Sequence, residues 1–281
     1  MKRDRPILFA LWILAIAVIL PSLTFASGSE NFFQSGKEIY DEWGIYRTRA
    51  NGTDGFLGVT PVGFEPKIAY ESLGDNAEAT WQFGEDFAQR YPDRHQRAEE
   101  LFYFVRDRVR YTSDSDQFGM REFAQNADEV LATIKTHGIA QGDCEDSAIL
   151  LSVLYKAAGF RSAIVLTPGH VATLIHLPEY RKAPRKLILD GEDGWVWIEA
   201  TGATNPFGWV PDSLLKGDLI AKEITNSHIT SQTIPGGAVT ISNDGLPNKY
   251  GSLTRTGTVI FLGSIGFLWM IGGRQQRSKS S

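Results

Sequence analysis

The sequence predicts an α+β domain between two hydrophobic ends. Apolar residues recur about every 3.6 positions through much of residues 76–158, a spacing typical of amphipathic helices. Over residues 162–200 the pattern changes to short apolar runs and to a period of two, which indicates strands. Both ends of the chain are long apolar runs without charge. This order favours helices packed on an antiparallel sheet, flanked by amino-terminal and carboxy-terminal transmembrane helices.

Residues 1–26 predict either a signal peptide or an uncleaved signal-anchor helix. The run from Ile7 to Leu20 is wholly apolar, a basic stretch precedes it, and no charge follows until Glu30. The run alone is short for a membrane span, which needs about 20 apolar residues. Residues 24–26, Thr-Phe-Ala, have the small-x-small pattern of a cleavage site. Both alternatives predict that the domain that follows is exported.

At the other end, residues 256–273 predict a transmembrane helix, and residues 274–281 form a basic tail. The apolar segment has no charged residue, whereas the tail carries three Lys or Arg residues. By the positive-inside tendency, both termini are expected in the cytoplasm if the first helix is uncleaved. The sequence therefore predicts a cell-membrane protein with lipid around its terminal helices and its folded domain outside the cytoplasm.

The charge distribution excludes nucleic acid as a partner. Of 28 basic and 33 acidic residues, six basic and one acidic residue lie in the two ends, so residues 27–255 carry a net charge of −10. Such a domain repels polyanions. The single cysteine also excludes internal disulfides, which leaves either a thiol kept for chemistry or an inert buried one.

The chain between the ends divides into three parts. Residues 27–94 form a Gly-rich lead-in that ends in a helix, and residues 222–255 are rich in Thr, Ser, Asn and Gly without periodicity, which predicts a flexible tether. The main domain is expected at residues 95–221. Helices are predicted at 76–91, 93–111, 122–136 and 144–158, and strands at 162–167, 170–177, 185–189 and 194–200.

Cys144 lies in QGDCEDSAILLSVLYKAAGF, at the predicted start of a helix. A thiol reacts as its thiolate, and a free pKa of about 8.5 leaves only a minority ionised at neutral pH. The positive end of the helix dipole stabilises a thiolate, but the neighbouring Asp143, Glu145 and Asp146 oppose it. A nucleophilic cysteine at this position therefore needs a cationic partner, and histidine is the usual one.

Two histidines and one acid are candidates for that partnership. His170 and His176 lie in the strand sequence GHVATLIHL, and alternation places both on one face, so position alone does not separate them. His170 begins its strand, at a rim where an active site could open. On a later strand, Glu199 is an acid within the apolar sequence GWVWIEATG. A buried carboxylate needs a hydrogen-bond partner, and a histidine N–H is a good one.

Three stretches together resemble the transglutaminase-like (papain-like) superfamily. RAEELFYFVRDRVRYTSD is similar to the family's helix that leads to an Ile/Val-x-Tyr strand. GDCEDSAILLSVLYKAAGFRSAIV is similar to its nucleophile helix and the strand after it, and GHVATLIHL with WVWIEATG is similar to its His and acid strands. The resemblance covers about residues 95–211 and implies a papain-like α+β core.

The resemblance implies roles for particular residues. Cys144 is the nucleophile, His170 is the general base and then the general acid, and Glu199 orients the imidazole. The family more often has Asp at the third position, which makes Asp190 and Asp193 the alternatives. The Cys144 backbone N–H is expected to contribute to an oxyanion hole, with Gln141 as the candidate for a second donor.

The implied chemistry is acyl transfer at protein or peptide amide bonds outside the membrane, through a thioester intermediate. Hydrolysis, as in a protease or amidase, and crosslinking to a second amine are both open outcomes. No metal or organic cofactor is required, although calcium could bind Asp143, Glu145 and Asp146, as it binds some relatives. Two other classes remain as alternatives: a catalytically inactive ectodomain that serves as a binding or scaffold module, and a zinc site built from Cys144, His170 and His176.

Overall fold

The computed structural model describes residues 33–241, except 42, 60, 62, 215–216 and 227–236. The hydrophobic segments predicted at residues 1–26 and 256–273 lie outside this part of the chain, as do the basic tail and most of the tether. No helix in the described part is long and apolar enough to cross a membrane.

The structure mixes helices and strands, as the sequence predicts. The helices are α1 (Lys67–Tyr70), α2 (Ala79–Arg90), α3 (Arg94–Arg106), α4 (Asp114–Gln117), α5 (Ala127–His137) and α6 (Cys144–Ala157), with a 3₁₀ turn at Gly74–Asn76. The strands are β1 (Phe33–Ser35), β2 (Glu38–Tyr40), β3 (Val109–Tyr111), β4 (Ala140–Gly142), β5 (Ser162–Thr167), β6 (His170–His176), β7 (Leu187–Leu189), β8 (Glu192–Ile198), β9 (Ile220–Glu223) and β10 (Gly237–Ile241).

Capping residues explain the bounds of one predicted helix, and strand pairing explains the end of another. The helix expected from residue 122 starts at Ala127 because Asn126 caps it: the Asn126 side chain accepts from the Glu129 amide, and the Glu129 carboxylate accepts from the Asn126 amide. The same helix ends at Gly138, whose φ of 81° is a left-handed conformation that glycine adopts without strain. The helix expected at residues 93–111 ends earlier, because Val109–Tyr111 pairs in parallel with β4.

Helix α6 forms the centre of the fold. All of its residues except Lys156 are buried, and it packs against α2, α3, α5, β5 and β6. Helix α2 approaches it closely at Gly84, where an added Cβ would lie 2.5 Å from the Ala157 Cβ. Because nearly every side of α6 is covered, its position is set by close packing on several elements at once.

The later strands form a closed antiparallel barrel in the order β10-β7-β8-β6-β5-β9. Alternate residues divide between two cores: Ala163, Val165, Leu174, Trp195 and Trp197 belong to one apolar cluster, whereas Ile164, Leu166, Ile175, Val196 and Ile198 belong to the cluster that contains α6. Both faces of these strands are thus buried, which explains why the sequence shows apolar runs more than simple alternation.

The structure contains strands at two places within the segment that the sequence predicts as a flexible tether. Strand β9, which extends to Glu223, pairs with β5, and Gly237–Ile241 forms β10 between β7 and β9. These strands are short and mix polar with apolar residues, so their sequences carry little periodicity. Their contribution is to pair the edges of the sheet and close the barrel.

The lead-in is also more ordered than its composition predicts. Phe56, Phe64, Ile68 and Leu73 are almost completely buried in the same cluster as α6. Arg47 is buried as well, and it forms ion pairs with three acidic side chains: Asp41 at 3.7 Å, Glu71 at 2.9 Å and Glu129 at 2.7 Å. This part of the chain therefore belongs to the folded core.

Candidate active site

Cys144 is the first residue of α6, and acidic side chains fix the start of that helix. The Asp143 amide donates to the Asp146 carboxylate at 3.4 Å. Gln125 holds the same carboxylate through its backbone and side-chain amides, each at 2.8 Å. The Cys144 side chain consequently lies at the positive end of the helix dipole, but it is only 5% exposed.

His170 and Glu199 form a short hydrogen-bonded pair. The distance from His170 Nε2 to Glu199 Oε2 is 2.6 Å, and Glu199 is only 3% exposed. The register of β6 with β8 pairs Thr173 with Ile198, which places Glu199 near His170 on one face of the sheet. Since Nε2 is engaged with the carboxylate, Nδ1 is the ring atom left to exchange a proton with a thiol.

Further contacts hold Glu199 in place. Its Oε1 accepts from the Thr201 amide at 3.1 Å and from the Thr201 hydroxyl, and its Oε2 accepts from Trp197 Nε1 at 3.4 Å. Burial alone would raise the pKa of Glu199, but the hydrogen bonds from His170 and Thr201 lower it below its usual value. The carboxylate is therefore ionised and suited to stabilise an imidazolium.

Cys144 and His170 line the same small cavity. Its volume is about 30 Å³, and the lead-in residues Ala50, Phe56 and Leu57 form part of its wall. Such a volume holds about one water molecule and no peptide. The structure shows no hydrogen bond between the two side chains; the Cys144 thiol instead donates to Glu145 Oε2 at 3.2 Å.

The surroundings of Cys144 favour the neutral thiol. Burial raises the pKa of the thiol well above its usual value, and the negative charges of Glu145 and Asp143 raise it further. The Val171 backbone N–H opposes them by donating a hydrogen bond to the sulfur. The thiol is consequently protonated at neutral pH, and it reacts only if a base removes its proton.

Replacing Glu145 by glutamine is expected to make Cys144 more reactive. The change removes a negative charge and an anionic hydrogen-bond acceptor from beside the sulfur, so the thiol pKa should fall. Each unit of decrease raises the thiolate fraction at neutral pH about tenfold. The measurement is the rate of iodoacetamide labelling of Cys144 against pH, in which the Glu145→Gln profile should shift toward lower pH.

Glu85→Gln is the matched control, because Glu85 is exposed on α2. Its labelling profile should coincide with that of the unmodified chain. A Glu145→Gln profile that stays in place or moves to higher pH would show that this carboxylate does not suppress thiolate formation.

A cluster of buried and half-buried acidic side chains adjoins the thiol. Its members are Asp114, Glu122, Asp143, Glu145 and Asp146, and three overlapping groups among them and Cys144 have potential ligand atoms within 4.8 Å of one another. Burial raises the pKa of Asp114 to about 6 and that of Glu122 to about 7, and the Asp143 and Asp146 pKa values are raised as well. Asp114 Oδ1, Asp143 Oδ1 and Glu145 Oε1 are buried without a hydrogen-bond partner.

Unpartnered buried carboxylate oxygens need compensation. Burial and the neighbouring Glu145 charge raise the pKa of Asp143, so its neutral carboxyl is favoured and supplies part of this compensation. Carboxylate oxygens are also the ligands that calcium prefers, so the cluster fits a hard cation. The expectation that no cofactor is required, with calcium at Asp143, Glu145 and Asp146 as the alternative, stays a prediction.

The other candidate residues lie away from the His170–Glu199 pair. His176 contacts the Asp193 carbonyl at 3.0 Å, at the opposite end of β6, and Asp190 lies in the turn between β7 and β8. Among the described residues, the groups of side chains that are close enough together to hold a metal ion contain no histidine. None of them therefore includes the zinc site predicted from Cys144, His170 and His176.

Gln141 lies on β4, and its side chain makes no hydrogen bond with any residue that the structure describes. The residue is exposed, and its carbonyl accepts from Gln125 Nε2 at 3.1 Å. Its assignment as an oxyanion donor stays a prediction.

Three contacts in the site were not predicted from the sequence. These are the Glu145 acceptor for the thiol, the Val171 amide beside the sulfur, and the Thr201 support of Glu199. The neighbouring positions of Glu145 and Thr201 give a local signal for two of them. The Val171 contact depends on how β6 packs against the start of α6, which sequence spacing does not reveal.

The comparison with known proteins covers the same part of the chain. The family model described as "Transglutaminase-like superfamily" matches residues 82–212. The match begins within α2, before the domain start expected at residue 95, and α2 packs against α6. No curated protein matches the chain. The matched range contains Cys144, His170 and Glu199, and it supports a transglutaminase-like domain at residues 82–212.

Proposed function

We propose that this domain is a cysteine acyl-transfer enzyme that acts on protein or peptide amide bonds through a Cys144–His170–Glu199 triad. The observation that carries the proposal is the 2.6 Å pairing of His170 Nε2 with a buried Glu199, while Cys144 lines the same cavity as the imidazole. The match to the transglutaminase-like superfamily supports it, since that superfamily is typically cysteine peptidase or acyltransferase.

In the first half of the reaction, His170 takes the proton from the Cys144 thiol as the sulfur attacks the amide carbonyl carbon. A C–S bond forms, and the carbonyl π pair becomes the oxyanion, toward which the Cys144 backbone N–H is the proposed donor. The C–N bond then breaks, the amine leaves with the proton held by His170, and a thioester remains. Glu199 stabilises the imidazolium that exists between the two proton transfers.

In the second half, a nucleophile cleaves the thioester. Water gives the free acid, and an amine gives a new amide; in either case His170 removes a proton from the nucleophile and returns one to the Cys144 sulfur. Atoms and charges balance without a cofactor. Both outcomes, hydrolysis and crosslinking, are therefore compatible with the same triad.

The acidic cluster bears on the first proton transfer. Glu145 and Asp143 disfavour the thiolate, and a cation bound by the cluster would offset their charge when present. The residues that would hold it are Asp114, Glu122, Asp143, Glu145 and Asp146. The chain's own compensation is the protonation of Asp143, whose pKa is raised by burial and by the Glu145 charge.

The proposed setting is the outer side of a cell membrane, with both termini in the cytoplasm if the amino-terminal helix is uncleaved. The apolar runs at the two ends and the basic residues beside them support it. The net charge of −10 over residues 27–255 argues against nucleic acid as a partner.

Incubation of the full chain with a glutamine-containing protein, with and without a fluorescent primary amine, tests the proposal. We expect either covalent incorporation of the amine or new chain termini, detected by mass spectrometry, because the thioester must resolve by one route. Cys144→Ala should abolish both products, and Ser147→Ala, one turn along α6, should retain them.

The alternative function is an inactive ectodomain that serves as a binding or scaffold module. One observation favours it: the thiol is 5% exposed and its cavity is too small for a peptide. The same incubation separates the two, because an inactive module yields neither amine incorporation nor new termini across a panel of protein substrates.

A further inference from the structure

A surface groove next to the proposed catalytic residues has no role in the mechanism above. Its volume is about 470 Å³, and its lining includes Tyr111, Ile139 and Thr201. Tyr111 is 47% exposed and Ile139 is 45% exposed, and they are two of four large hydrophobic side chains that remain exposed in the described part of the chain. Exposed apolar side chains that converge on one depression indicate a binding surface.

Both walls of the groove continue directly into the catalytic residues. On one wall, Tyr111 pairs with Gly142 in the β3–β4 ladder, two residues before Cys144. On the other wall, Thr201 donates through its amide to Glu199. Burial raises the pKa of the Tyr111 phenol, and the nearby Cys144 sulfur raises it further, which is consistent with this proximity. The groove therefore lies beside the segments that carry Cys144 and Glu199, while Cys144 itself lines the smaller cavity.

The charges of the groove indicate what its occupant carries. Arg106 is compensated, because it pairs with Asp107 at 2.7 Å and donates to the Asn205 carbonyl at 2.7 Å. Arg110 also lines the groove and is exposed, and its guanidinium has no ion pair or hydrogen bond with the residues that the structure describes. In a domain of strongly negative net charge, this guanidinium is a local site for an anionic group.

We propose that the groove binds an extended peptide segment of the substrate that carries a large apolar or aromatic side chain next to an acidic residue. The apolar side chain packs against Tyr111 and Ile139, and the carboxylate pairs with Arg110. The volume lies within the range of about 300–1,000 Å³ that is usual for ligand sites. This inference rests on the proposed function, because the groove is a substrate site only if Cys144 acts on peptides.

Two peptide electrophiles test the groove without requiring amide cleavage. N-iodoacetyl-Phe-Asp-amide and N-iodoacetyl-Gly-Lys-amide each alkylate Cys144 when the sulfur displaces iodide and forms a thioether. With the full chain, the Phe-Asp probe should label Cys144 at least about tenfold faster than the Gly-Lys probe, a ratio typical of selection by an apolar pocket. Labelling rates are measured by mass spectrometry and normalised to those of iodoacetamide.

Two variants assign the preference to the groove. Tyr111→Ala should reduce the rate ratio of the Phe-Asp probe to the Gly-Lys probe about fivefold or more, and Arg110→Glu should also reduce it. Arg108→Glu is the matched control, since Arg108 is exposed on the same connection, hydrogen-bonds to the Phe104 carbonyl and lies outside the groove lining. It should leave the preference unchanged.

Equal labelling by the two probes, no labelling of Cys144 by either probe, or a preference that survives both variants would overturn the groove assignment. These results are distinguishable from failure of the proposed function. A chain whose Cys144 is labelled selectively, yet never yields amine incorporation or peptide cleavage, retains the groove as a peptide-binding site and loses the acyl-transfer activity.

Discussion

Substitution of His170 by alanine is expected to lower turnover by roughly 10²- to 10⁴-fold, the usual contribution of a general base. The thiol it serves is neutral at rest, because burial and the adjacent acidic side chains raise the thiol pKa. Glu145 also contacts the sulfur, but its charge raises the thiol pKa and so disfavours the thiolate, which makes its carboxylate a poor substitute for the imidazole. The measurement is kcat/KM for whichever reaction, cleavage or amine incorporation, the unmodified chain performs.

His176→Ala is a matched control for this substitution. His176 lies on the same strand and the same face, but its ring contacts the Asp193 carbonyl and Glu192 at the far end of β6. It should change kcat/KM by no more than about twofold. Equal losses in the two variants would indicate damage to the barrel and would remove the distinction between a catalytic and a structural histidine.

Substitution of Arg47 by methionine is expected to destabilise the fold by about 3–5 kcal/mol, the usual cost of breaking a buried ion pair from one side. Arg47 is completely buried, and its removal leaves the carboxylates of Asp41, Glu71 and Glu129 without their shared cation. For a domain of this size, the loss corresponds to a decrease in Tm of roughly 6–20 °C. Thermal unfolding of the two proteins at neutral pH measures it.

Arg49→Met provides the comparison, because Arg49 is 37% exposed and pairs with Glu38 and Asp54, which are similarly exposed. Surface pairs of this kind contribute about 0–1 kcal/mol, so the Tm should change by a few degrees at most. If Arg47→Met unfolded at the same temperature as Arg49→Met, the buried ion pairs of Arg47 would not contribute measurably to the stability of the fold.

The central part of the fold was predictable because its signals are local. The apolar stripe of α6 and its start at Cys144 appear in the sequence, as do the strands that carry His170 and the residues before Glu199. The pairing of His170 with Glu199 follows from the order of those strands once they lie side by side. It required only that alternation place both side chains on one face.

The parts that were not predictable depend on contacts between distant segments. In the sequence, Arg47 is one charged residue among others in a Gly-rich stretch. Only the folded chain shows that it contacts Glu71 and Glu129. Strand β10 has too few residues to show a period and is defined by the two edges that it joins. Phe56 and its neighbours, which are distant from Cys144 in the sequence, likewise form part of the wall of the cavity that contains the thiol.

The acidic cluster was predictable from the sequence only in part. The carboxylates on either side of Cys144 were visible in the sequence, and their unfavourable effect on a thiolate follows from like charge alone. The sequence could not show that Asp114 and Glu122 join them from a separate segment, or that three of the oxygens lack partners. The resting thiol consequently donates to Glu145, and the role proposed for His170 is to remove its proton.

The most direct test of the central claim is the rate at which iodoacetamide labels Cys144 at pH 7 in the unmodified chain and in His170→Ala. If the imidazole removes the proton from a thiol whose pKa is raised, the variant should label at least about tenfold more slowly, while His176→Ala should label at the original rate. Equal rates in the unmodified chain and His170→Ala would contradict the claim that His170 activates Cys144.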